Sequence, residues 1–230
     1  MAEFLSVFTG TFWAEYGAIL AEGVIDTLIM VCVSTVFAYL LGLPLGVILI
    51  LTRPHGIYSN HSVYRVMDWV INVGRSLPFI ILMIAIMPLT KIIVGTKIGV
   101  KGAIVPLVIS AAPFIARMVE TALSEVDAGV VEAAQSMGAS PLQIVWKVYL
   151  PEAKPSLVLG GAISIVTILA YTAIAGTVGA GGLGDIAIRY GHNRNEPVVM
   201  WVTVLFLILL VQLVQLAFNA LSRTIDKRLR

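Results

Sequence analysis

Runs of apolar residues about twenty long constrain this chain more than any other feature of its sequence. The first extends from Thr27 to Thr52 and is bounded by Asp26 and Arg53. A helix of about 20 apolar residues crosses the hydrocarbon core of a bilayer and satisfies its own backbone hydrogen bonds there. Of the 230 residues, 59% are hydrophobic and only 12% are charged, which is outside the usual balance of soluble domains. The chain is therefore predicted to be an all-α integral membrane protein.

Five such runs divide the sequence, and they belong to one predicted domain that covers residues 1–230. The predicted spans are approximately residues 27–52, 66–90, 98–120, 156–178 and 198–221. In the first span, Gly42 and Gly46 form a GxxxG pattern, which predicts close contact with another helix. Pro44 lies between them and removes one backbone hydrogen bond, so a bend is expected at this point.

Polar residues in the first half of the second span are unusual for a lipid-facing helix. A charge such as that of Arg75 costs about 3 kcal/mol in hydrocarbon on insertion scales, so Arg75 must face protein, water or headgroups. Two interpretations stay open: Arg75 snorkels to the interface, or it lines a pathway with Asn72 and Ser76. In the third span, Arg117 and Glu120 have the i, i+3 spacing of an interfacial ion pair.

The distribution of lysine and arginine predicts the orientation of the spans, because cytoplasmic loops carry more of both. With the polar segment between spans three and four in the cytoplasm, the inner side receives Arg53, Arg65, Arg75, Arg117, Lys147, Lys154, Arg223, Lys227, Arg228 and Arg230. The outer side receives fewer cations: Lys91, Lys97, Lys101, Arg189 and Arg194. This bias predicts an N-terminus outside and a C-terminus in the cytoplasm.

The polar segment at about residues 127–151 is too long and too patterned for a simple connection. Its composition predicts a short helix with Glu132 in the first turn and an Ala-Ala pair at 133–134 on one face. Gly138 and Pro141 are the expected stop signals. Since small side chains allow another protein's backbone to come close, we interpret the segment as a cytoplasmic knob that fits a partner's socket.

A second glycine-containing segment, Gly179 to Gly184, matches the letters of the GxGxxG dinucleotide motif. That motif requires a preceding strand and an acidic residue about 20 positions further on, whereas a predicted membrane span precedes this one and Glu196 follows too soon. The glycines are therefore predicted to form a tight turn on the outer side or to pack small faces together.

Several kinds of chemistry are missing from the sequence. No GxxxxGK[ST] phosphate loop is present, so the chain cannot bind ATP in that way, and any energy must come from elsewhere. The three histidines, His55, His61 and His192, have no metal-binding spacing, and Cys32 is the single cysteine. There is no basic run interleaved with aromatic residues, so no nucleic-acid partner is expected.

The motif Glu132-Ala133-Ala134, followed by Gly138 and by Val148-Tyr149-Leu150-Pro151, resembles the EAA loop of permease subunits in ABC-type importers. Val148 stands where that family often has isoleucine, and this swap keeps the shape and the apolarity. Three further segments and the glycine turn resemble the methionine importer permeases: Arg75 to Leu82, Ile93 to Thr96, Ala111 to Glu120 and Gly179 to Gly184.

This resemblance implies a type I ABC importer permease fold with five spans, in a bacterial cytoplasmic (inner) membrane. It implies a second copy of the chain, two ATP-binding subunits and an extracytoplasmic substrate-binding lipoprotein as partners, besides membrane lipid. The expected substrate is methionine, D- and/or L-. The permease would be no enzyme and would hold no cofactor, because the partner ATPase binds ATP and Mg.

The resemblance also assigns roles to residues of this chain. ATPase coupling is expected of the EAA loop residues Glu132, Ala133, Ala134, Ser136, Met137, Gly138 and Pro151. From the residues themselves, we predict that the translocation pathway includes Asn72, Ser76 and Pro78 of span two and Tyr171, Thr172 and Ile174 of span four; the helical spacing of Tyr171 and Ile174 is also typical of packing residues. An apolar lining suits a thioether side chain.

Other functions stay open on the sequence alone. The chain could be an ABC permease for another amino acid or small solute. A membrane-embedded enzyme would use Arg75, Arg117 and Glu120, but no nucleophile or metal cluster accompanies them. A stand-alone channel would have no use for the segment at 127–151.

Overall fold

The computed structural model describes residues 10–225, apart from the side chains of Arg223 and Ile225. Every regular element in this part of the chain is helical, which confirms the all-α prediction. The α-helices are α1 (Gly10–Thr52), α2 (His61–Ser76), α3 (Phe79–Ala85), α4 (Met87–Val94), α5 (Gly99–Ser124), α6 (Ala128–Ser136), α7 (Pro141–Ile144), α8 (Leu150–Glu152), α9 (Lys154–Gly176), α10 (Gly182–Ile186) and α11 (Pro197–Ile225). Two short π-helices complete the list, π1 (Val145–Tyr149) and π2 (Ala187–His192).

Four of these helices are long and apolar enough to cross a membrane: α1, α5, α9 and α11. Helices α2 and α3 pass the same test only as a pair, bent by 99° at the break between them. The described residues therefore hold four candidate spans, or five if the bent pair counts as one. The two ends of the chain that the orientation prediction concerns, residues 1–9 and 226–230, lie outside the described residues.

The second predicted span, residues 66–90, is not one continuous helix in the structure. The chain leaves helical geometry at Leu77, whose φ and ψ are −81° and 125°. Pro78 is the cause, because proline has no backbone N–H and forces the residue before it into an extended conformation. The chain also leaves the helix at Ile86, between α3 and α4, and Pro88 follows in the first turn of α4, where a backbone N–H has no helical partner.

Helix α1 begins at Gly10, well before the predicted span start at Thr27. Three residues of this added part, Phe12, Tyr16 and Leu20, pack with residues of α11 such as Val199. The apolar run alone does not reveal this extension because Glu15, Glu22 and Asp26 interrupt it. Packing of an aromatic face stabilises the helix there despite these charges.

By its internal contacts the described chain divides into two compact units. Unit 1 contains residues up to Val36 with Pro78–Val108 and Ile165–Val214, and unit 2 contains Phe37–Leu77, Ile109–Ser164 and the residues from Gln215 onward. Within unit 2, the predicted GxxxG contact is confirmed. A Cβ placed on Gly46 would lie 2.5 Å from the carbonyl oxygen of Ala116 on α5.

Within unit 1, the glycine turn connects α9 to α10 and packs against α1. Gly181 and Gly182 have φ of 82° and 76°, and a Cβ on Gly184 would clash with the backbone of Ala173. The hydroxyl of Thr27 accepts a hydrogen bond from the N–H of Leu183 at 2.9 Å and donates one to the carbonyl of Gly23 at 2.8 Å. The prediction that these glycines form a tight turn with close packing is confirmed.

Candidate functional site

The polar segment at residues 127–151 begins with α6. Asp127 caps this helix, because its side chain accepts a hydrogen bond from the N–H of Gly129 at 2.7 Å. With the helix starting at Ala128, Glu132 lies in its second turn, so the prediction of Glu132 in the first turn is wrong. The sequence contained the correcting signal, since Asp is a preferred N-cap residue.

The alanine pair does not share one face of α6. Ala134 is buried together with Val131, whereas Ala133 and Glu132 are exposed. Consecutive residues of an α-helix are about 100° apart around its axis, so neighbours rarely face the same surface. The expectation that both alanines contact a partner is therefore corrected: Ala134 packs within the chain and Ala133 faces outward.

Gly138 ends α6, as predicted. Its φ is 79°, a left-handed conformation, and its N–H donates to the carbonyl of Gln135 at 2.9 Å. The N–H of Ala139 donates to the carbonyl of Ala134 at 3.1 Å. These two hydrogen bonds form a Schellman motif, which satisfies carbonyls at the helix end. A Cβ on Gly138 would have nothing within 4 Å, so only the backbone conformation requires glycine here.

Pro141 begins a second helix, α7, rather than ending the first one. The Ser140 hydroxyl accepts from the N–H of Gln143, and the Gln143 side chain accepts from the N–H of Ser140 at 2.8 Å. This is a capping box with proline at the first helical position. The order Ser-Pro-Leu-Gln carried that signal in the sequence, where the proline was interpreted only as a stop.

The helical path continues from α7 through π1 into α8. The N–H of Leu150 donates to the carbonyl of Val145, five residues earlier. Pro151, predicted as a coupling residue, follows directly in the first turn of α8, where it removes one N–H from the helical ladder. Pro151 is half-buried, and its role in coupling stays a prediction.

Three large apolar side chains of the segment are more than 60% exposed: Met137 by 82%, Leu142 by 67% and Trp146 by 64%. We call these three residues the apolar triad. Leu142 and Trp146 are i, i+4 neighbours along the path of α7 and π1, while Ile144 and Val145 between them are buried. Exposed large apolar groups on a well-capped, ordered segment are typical of a protein contact surface. The sequence reasoning included Met137 but not the other two.

Glu132 and Gln135 of α6 line a cavity of about 220 Å³. Arg53 and His55, from the turn after α1, and the buried Tyr149 line it as well. Burial raises the pKa of Tyr149 above its ordinary value, although the charge of Arg53 acts in the opposite direction. Tyr149 is therefore neutral at physiological pH. Glu132, predicted to contact a partner, faces this cavity of its own chain.

The predicted ion pair of Arg117 and Glu120 is confirmed, and it belongs to a larger cluster. Arg117 also contacts Asp68 of α2 and donates to the Asn72 amide oxygen at 3.2 Å. The Tyr64 hydroxyl donates to the Glu120 carboxylate at 3.3 Å. The cluster joins α2 to α5 in unit 2. Asp68 and Tyr64 were missed, although residues 64, 68 and 72 have the spacing of one helix face.

The predicted pathway residues of α2 and of the α2–α3 break are all exposed: Asn72, Ser76 and Pro78. The Ser76 hydroxyl donates to the carbonyl of Asn72 at 2.7 Å. Arg75 is exposed too, and it has no ion pair among the described residues. The pathway roles of Asn72 and Ser76 stay predictions.

The predicted residues of α9 differ in exposure. The Tyr171 ring stacks on Phe79 with centroids 4.6 Å apart, which places it beside the start of α3 in unit 1. Thr172 is buried and its hydroxyl donates to the carbonyl of Leu169, whereas Ile174 is 38% exposed. Phe79, which sequence reasoning did not single out, is thus the contact between the α2–α3 break and one candidate residue. The pathway roles of Tyr171, Thr172 and Ile174 stay predictions.

Comparison with known families places most of the chain in one of them. Residues 42–230 match the model of the family described as the binding-protein-dependent transport system inner membrane component. The chain is 54% identical over 203 residues to the probable D-methionine transport system permease protein MetI of Vibrio cholerae, a match that covers 88% of this chain and 90% of that protein. It is 51% identical over 158 residues to the D-methionine transport system permease protein MetI of Escherichia coli K12, covering 69% of this chain and 73% of that one.

Solved structures give the same result for the fold. A chain of the MetNI methionine ABC transporter in inward-facing conformations matches with a TM-score of 0.91 and 47% identity, covering 92% of this chain and 98% of that chain. A chain of an amino acid ABC transporter with histidines matches with a TM-score of 0.75 at 18% identity, covering 92% of this chain and 96% of that one. The second likeness concerns the fold alone.

Proposed function

The chain belongs to the permease family of methionine ABC importers, and we propose that it is the membrane-spanning permease subunit of an ATP-driven importer. In this proposal it forms the translocation pathway for methionine, as the D- and/or L-enantiomer. Its relatives are named as transport permeases, and in this proposal the chain itself is a permease and not an enzyme. The sequence has no phosphate loop, so ATP and Mg are bound by a separate ATPase subunit.

The apolar triad is the observation that carries the coupling part of this proposal. Met137, Leu142 and Trp146 are exposed on a segment whose α-helices α6 and α7 are each capped by a side chain, so the surface is stiff as well as apolar. A stiff surface transmits a partner's movement to the spans, whereas a flexible loop would absorb it. Residues 127–151 thus form the coupling segment, and the triad is its contact with the ATPase.

The complete importer contains a second copy of the permease, two ATP-binding subunits and an extracytoplasmic substrate-binding lipoprotein. It lies in the bacterial cytoplasmic membrane, with the N-terminus of the permease outside and its C-terminus in the cytoplasm. The cation bias across the predicted spans supports this orientation, because it places the coupling segment on the side of ATP. Transport follows alternating access, in which nucleotide binding to the ATPase selects between two arrangements of the spans.

Co-purification tests the coupling part. The permease and its ATPase are co-expressed, and the ATPase recovered per permease is compared for the native chain and for Trp146→Ser. We expect a loss of about tenfold or more, because a buried aromatic anchor at an interface contributes about 2 kcal/mol or more. Ile92→Ser is the matched control, since Ile92 is 82% exposed and lies on α4, outside the coupling segment. Equal recovery with both variants contradicts the coupling assignment.

Uptake tests the substrate. Cells that lack other methionine uptake routes and express the complete importer should take up labelled methionine, and an excess of unlabelled methionine should compete. Histidine, proline and other amino acids should not. Competition by an unrelated amino acid but not by methionine contradicts the substrate assignment, while it leaves the coupling result unaffected.

A further inference from the structure

The cavity beside α6 carries two opposite charges that do not pair with each other. Arg53 and Glu132 both line it, and we call this space the α6 cavity. Among the described residues neither of them forms an ion pair, so the guanidinium nitrogens and the carboxylate oxygens lie more than 4.0 Å apart. Opposite charges held apart across one cavity attract an occupant that carries both charges.

A third polar group, the Tyr149 hydroxyl, is available on the same cavity. Tyr149 is only 3% exposed, its side chain lines the cavity, and its hydroxyl forms no hydrogen bond with another described residue. Burial raises the pKa of Tyr149, and the nearby charge of Arg53 opposes this rise. The hydroxyl and the guanidinium therefore act on the same part of the cavity. His55 lines it too, and a ring N–H of His55 is a further donor.

A simple ion fits this lining poorly. An anion bound to Arg53 would be repelled by Glu132, and a cation bound to Glu132 would be repelled by Arg53. A zwitterion avoids both repulsions, because its oxyanion accepts hydrogen bonds from Arg53 and Tyr149 while its ammonium donates to Glu132. Gln135 also lines the cavity, and its amide can donate to one end of the occupant or accept from the other.

The volume of the α6 cavity limits the occupant to a small group. The cavity measures about 220 Å³, which is more than one or two water molecules fill, since each takes about 30 Å³ in the liquid. It is smaller than the pockets of about 300–1,000 Å³ that enclose drug-sized ligands. Zwitterions in which a short carbon linker joins the two charges are of the right size.

Two sources can supply such a group. Arg53 directly follows α1, which is long and apolar enough to cross a membrane, so phospholipid head groups lie close to it. A phosphoethanolamine head group carries a phosphate and a primary ammonium. A free amino acid carries a carboxylate and an ammonium, and it reaches the cavity from the water.

We propose that the α6 cavity binds a zwitterionic group, with its oxyanion at Arg53, His55 and Tyr149 and its ammonium at Glu132. Glu132 and Tyr149 belong to the coupling segment, whereas Arg53 and His55 belong to the turn after α1. The occupant therefore joins the coupling segment to the end of α1 through its two charges. This binding does not depend on the proposed function, and it is measured on the permease alone.

Lipid retention by the purified full-length permease tests the first source. The permease is incubated with equal amounts of phosphatidylethanolamine and of phosphatidylglycerol, which has the phosphate but no ammonium, and native mass spectrometry counts the bound lipids. We expect phosphatidylethanolamine to be preferred about fivefold, the size typical of one partly exposed charge pair. Arg53→Gln and Glu132→Gln should each remove this preference.

Equilibrium dialysis with labelled alanine tests the second source. Binding of alanine that Arg53→Gln and Glu132→Gln each weaken about fivefold assigns the cavity to a free amino acid. A preference for phosphatidylethanolamine assigns it to a lipid head group, and either result supports the zwitterion. Tyr149→Phe keeps the buried ring and removes the hydroxyl, so it should weaken binding of the same probe while the midpoint temperature of unfolding stays the same.

The matched controls are Arg65→Gln and Glu152→Gln, because both residues are exposed, belong to unit 2 and lie outside the lining of the cavity. They should change neither measurement. The proposal is overturned when neither probe shows binding that depends on both Arg53 and Glu132. Equal retention of the two lipids together with no binding of alanine overturns it as well. Failure of the proposed coupling is recognised separately, by co-purification of the ATPase.

Discussion

The glycine turn at Gly179 to Gly184 and the helix end at Gly138 use the same residue for opposite reasons. In the turn, Gly184 lies so close to α9 that a Cβ would clash with the backbone of Ala173. At Gly138 a Cβ would meet nothing within 4 Å, and only the φ of 79° favours glycine. Close packing against another backbone requires glycine at Gly184, whereas at Gly138 only the backbone conformation favours glycine.

The two segments also differ in how much of their surface is exposed. Residues 182–184 of the turn are buried and Thr27 anchors the turn to α1, although its letters match a nucleotide-binding pattern. In the coupling segment, the side-chain hydrogen bonds at Asp127 and Ser140 are local helix caps. The apolar triad is exposed. A glycine-containing segment therefore indicates a surface for a partner only where the large side chains next to the glycine are exposed.

The largest effect is expected for Gly184→Ala. The methyl group would overlap backbone atoms, which cannot rotate away as a side chain can, so we expect a loss of about 3 kcal/mol in the free energy of unfolding. Thermal unfolding of the purified permease in detergent measures it. Gly17→Ala on α1 is the control, because its Cβ would have its nearest contact at 3.8 Å. Equal midpoint temperatures for the two variants would show that the turn is not packed as described.

A smaller loss is expected for Thr27→Val. This substitution keeps the shape but removes the acceptor for the buried N–H of Leu183, which costs about 2 kcal/mol. Thr27→Ser keeps the hydroxyl and should retain most of the stability. If valine and serine lower the midpoint temperature equally, the hydrogen bond does not anchor the turn.

Gly138→Ala should cost about 1–2 kcal/mol, because a left-handed conformation is unfavourable for a residue with a Cβ. We expect this cost to appear as reduced recovery of the ATPase, with a nearly unchanged midpoint temperature for the spans. Gly138→Asn should be milder, since asparagine tolerates positive φ. Full ATPase recovery with alanine would mean that the shape of this helix end is unimportant for docking.

The smallest effect is expected for Ser140→Ala. It removes half of the capping box of α7 and should cost about 1 kcal/mol, confined to the coupling segment. Hydrogen exchange of the amides in residues 141–150 should become faster, while exchange in α9 stays the same. Ser140→Asp is the control, because aspartate also caps a helix and should preserve the protection. Unchanged exchange in the alanine variant would assign the stability of α7 to packing instead.

The hydrophobic spans were predictable because their signal is local and strong. Runs such as Thr27 to Thr52 and the nearly unbroken apolar sequence of α11 place the helices without knowledge of any neighbour. The break at Leu77 was not recognised, although Pro78 was visible, because proline is tolerated in many membrane helices when neighbours satisfy the freed backbone groups. The start of α1 at Gly10 depends on aromatic packing between distant parts of the chain, which no local pattern shows.

The candidate site divides in the same way. Gly138 was identified from the sequence because a helix end needs positive φ whatever surrounds it. The exposure of Leu142 and Trp146 was not, because a large apolar residue on a short helix is equally compatible with the core. The roles of Glu132 and Ala134 also changed, because the Asp127 cap places Glu132 in the second turn of α6 and because only the face with Val131 and Ala134 is buried.

The sequence by itself determined that this chain is a helical membrane protein, that it lacks the means to bind ATP through a phosphate loop, and that it carries a patterned polar segment. These properties follow from composition and short motifs, whose physics acts over a few residues. Only the tertiary structure decided which side chains of that segment face outward, that Arg117 contacts Asp68, and that the Ser156 hydroxyl donates a hydrogen bond to the Glu125 carboxylate. Such contacts join residues far apart in sequence, and packing rather than local propensity selects them.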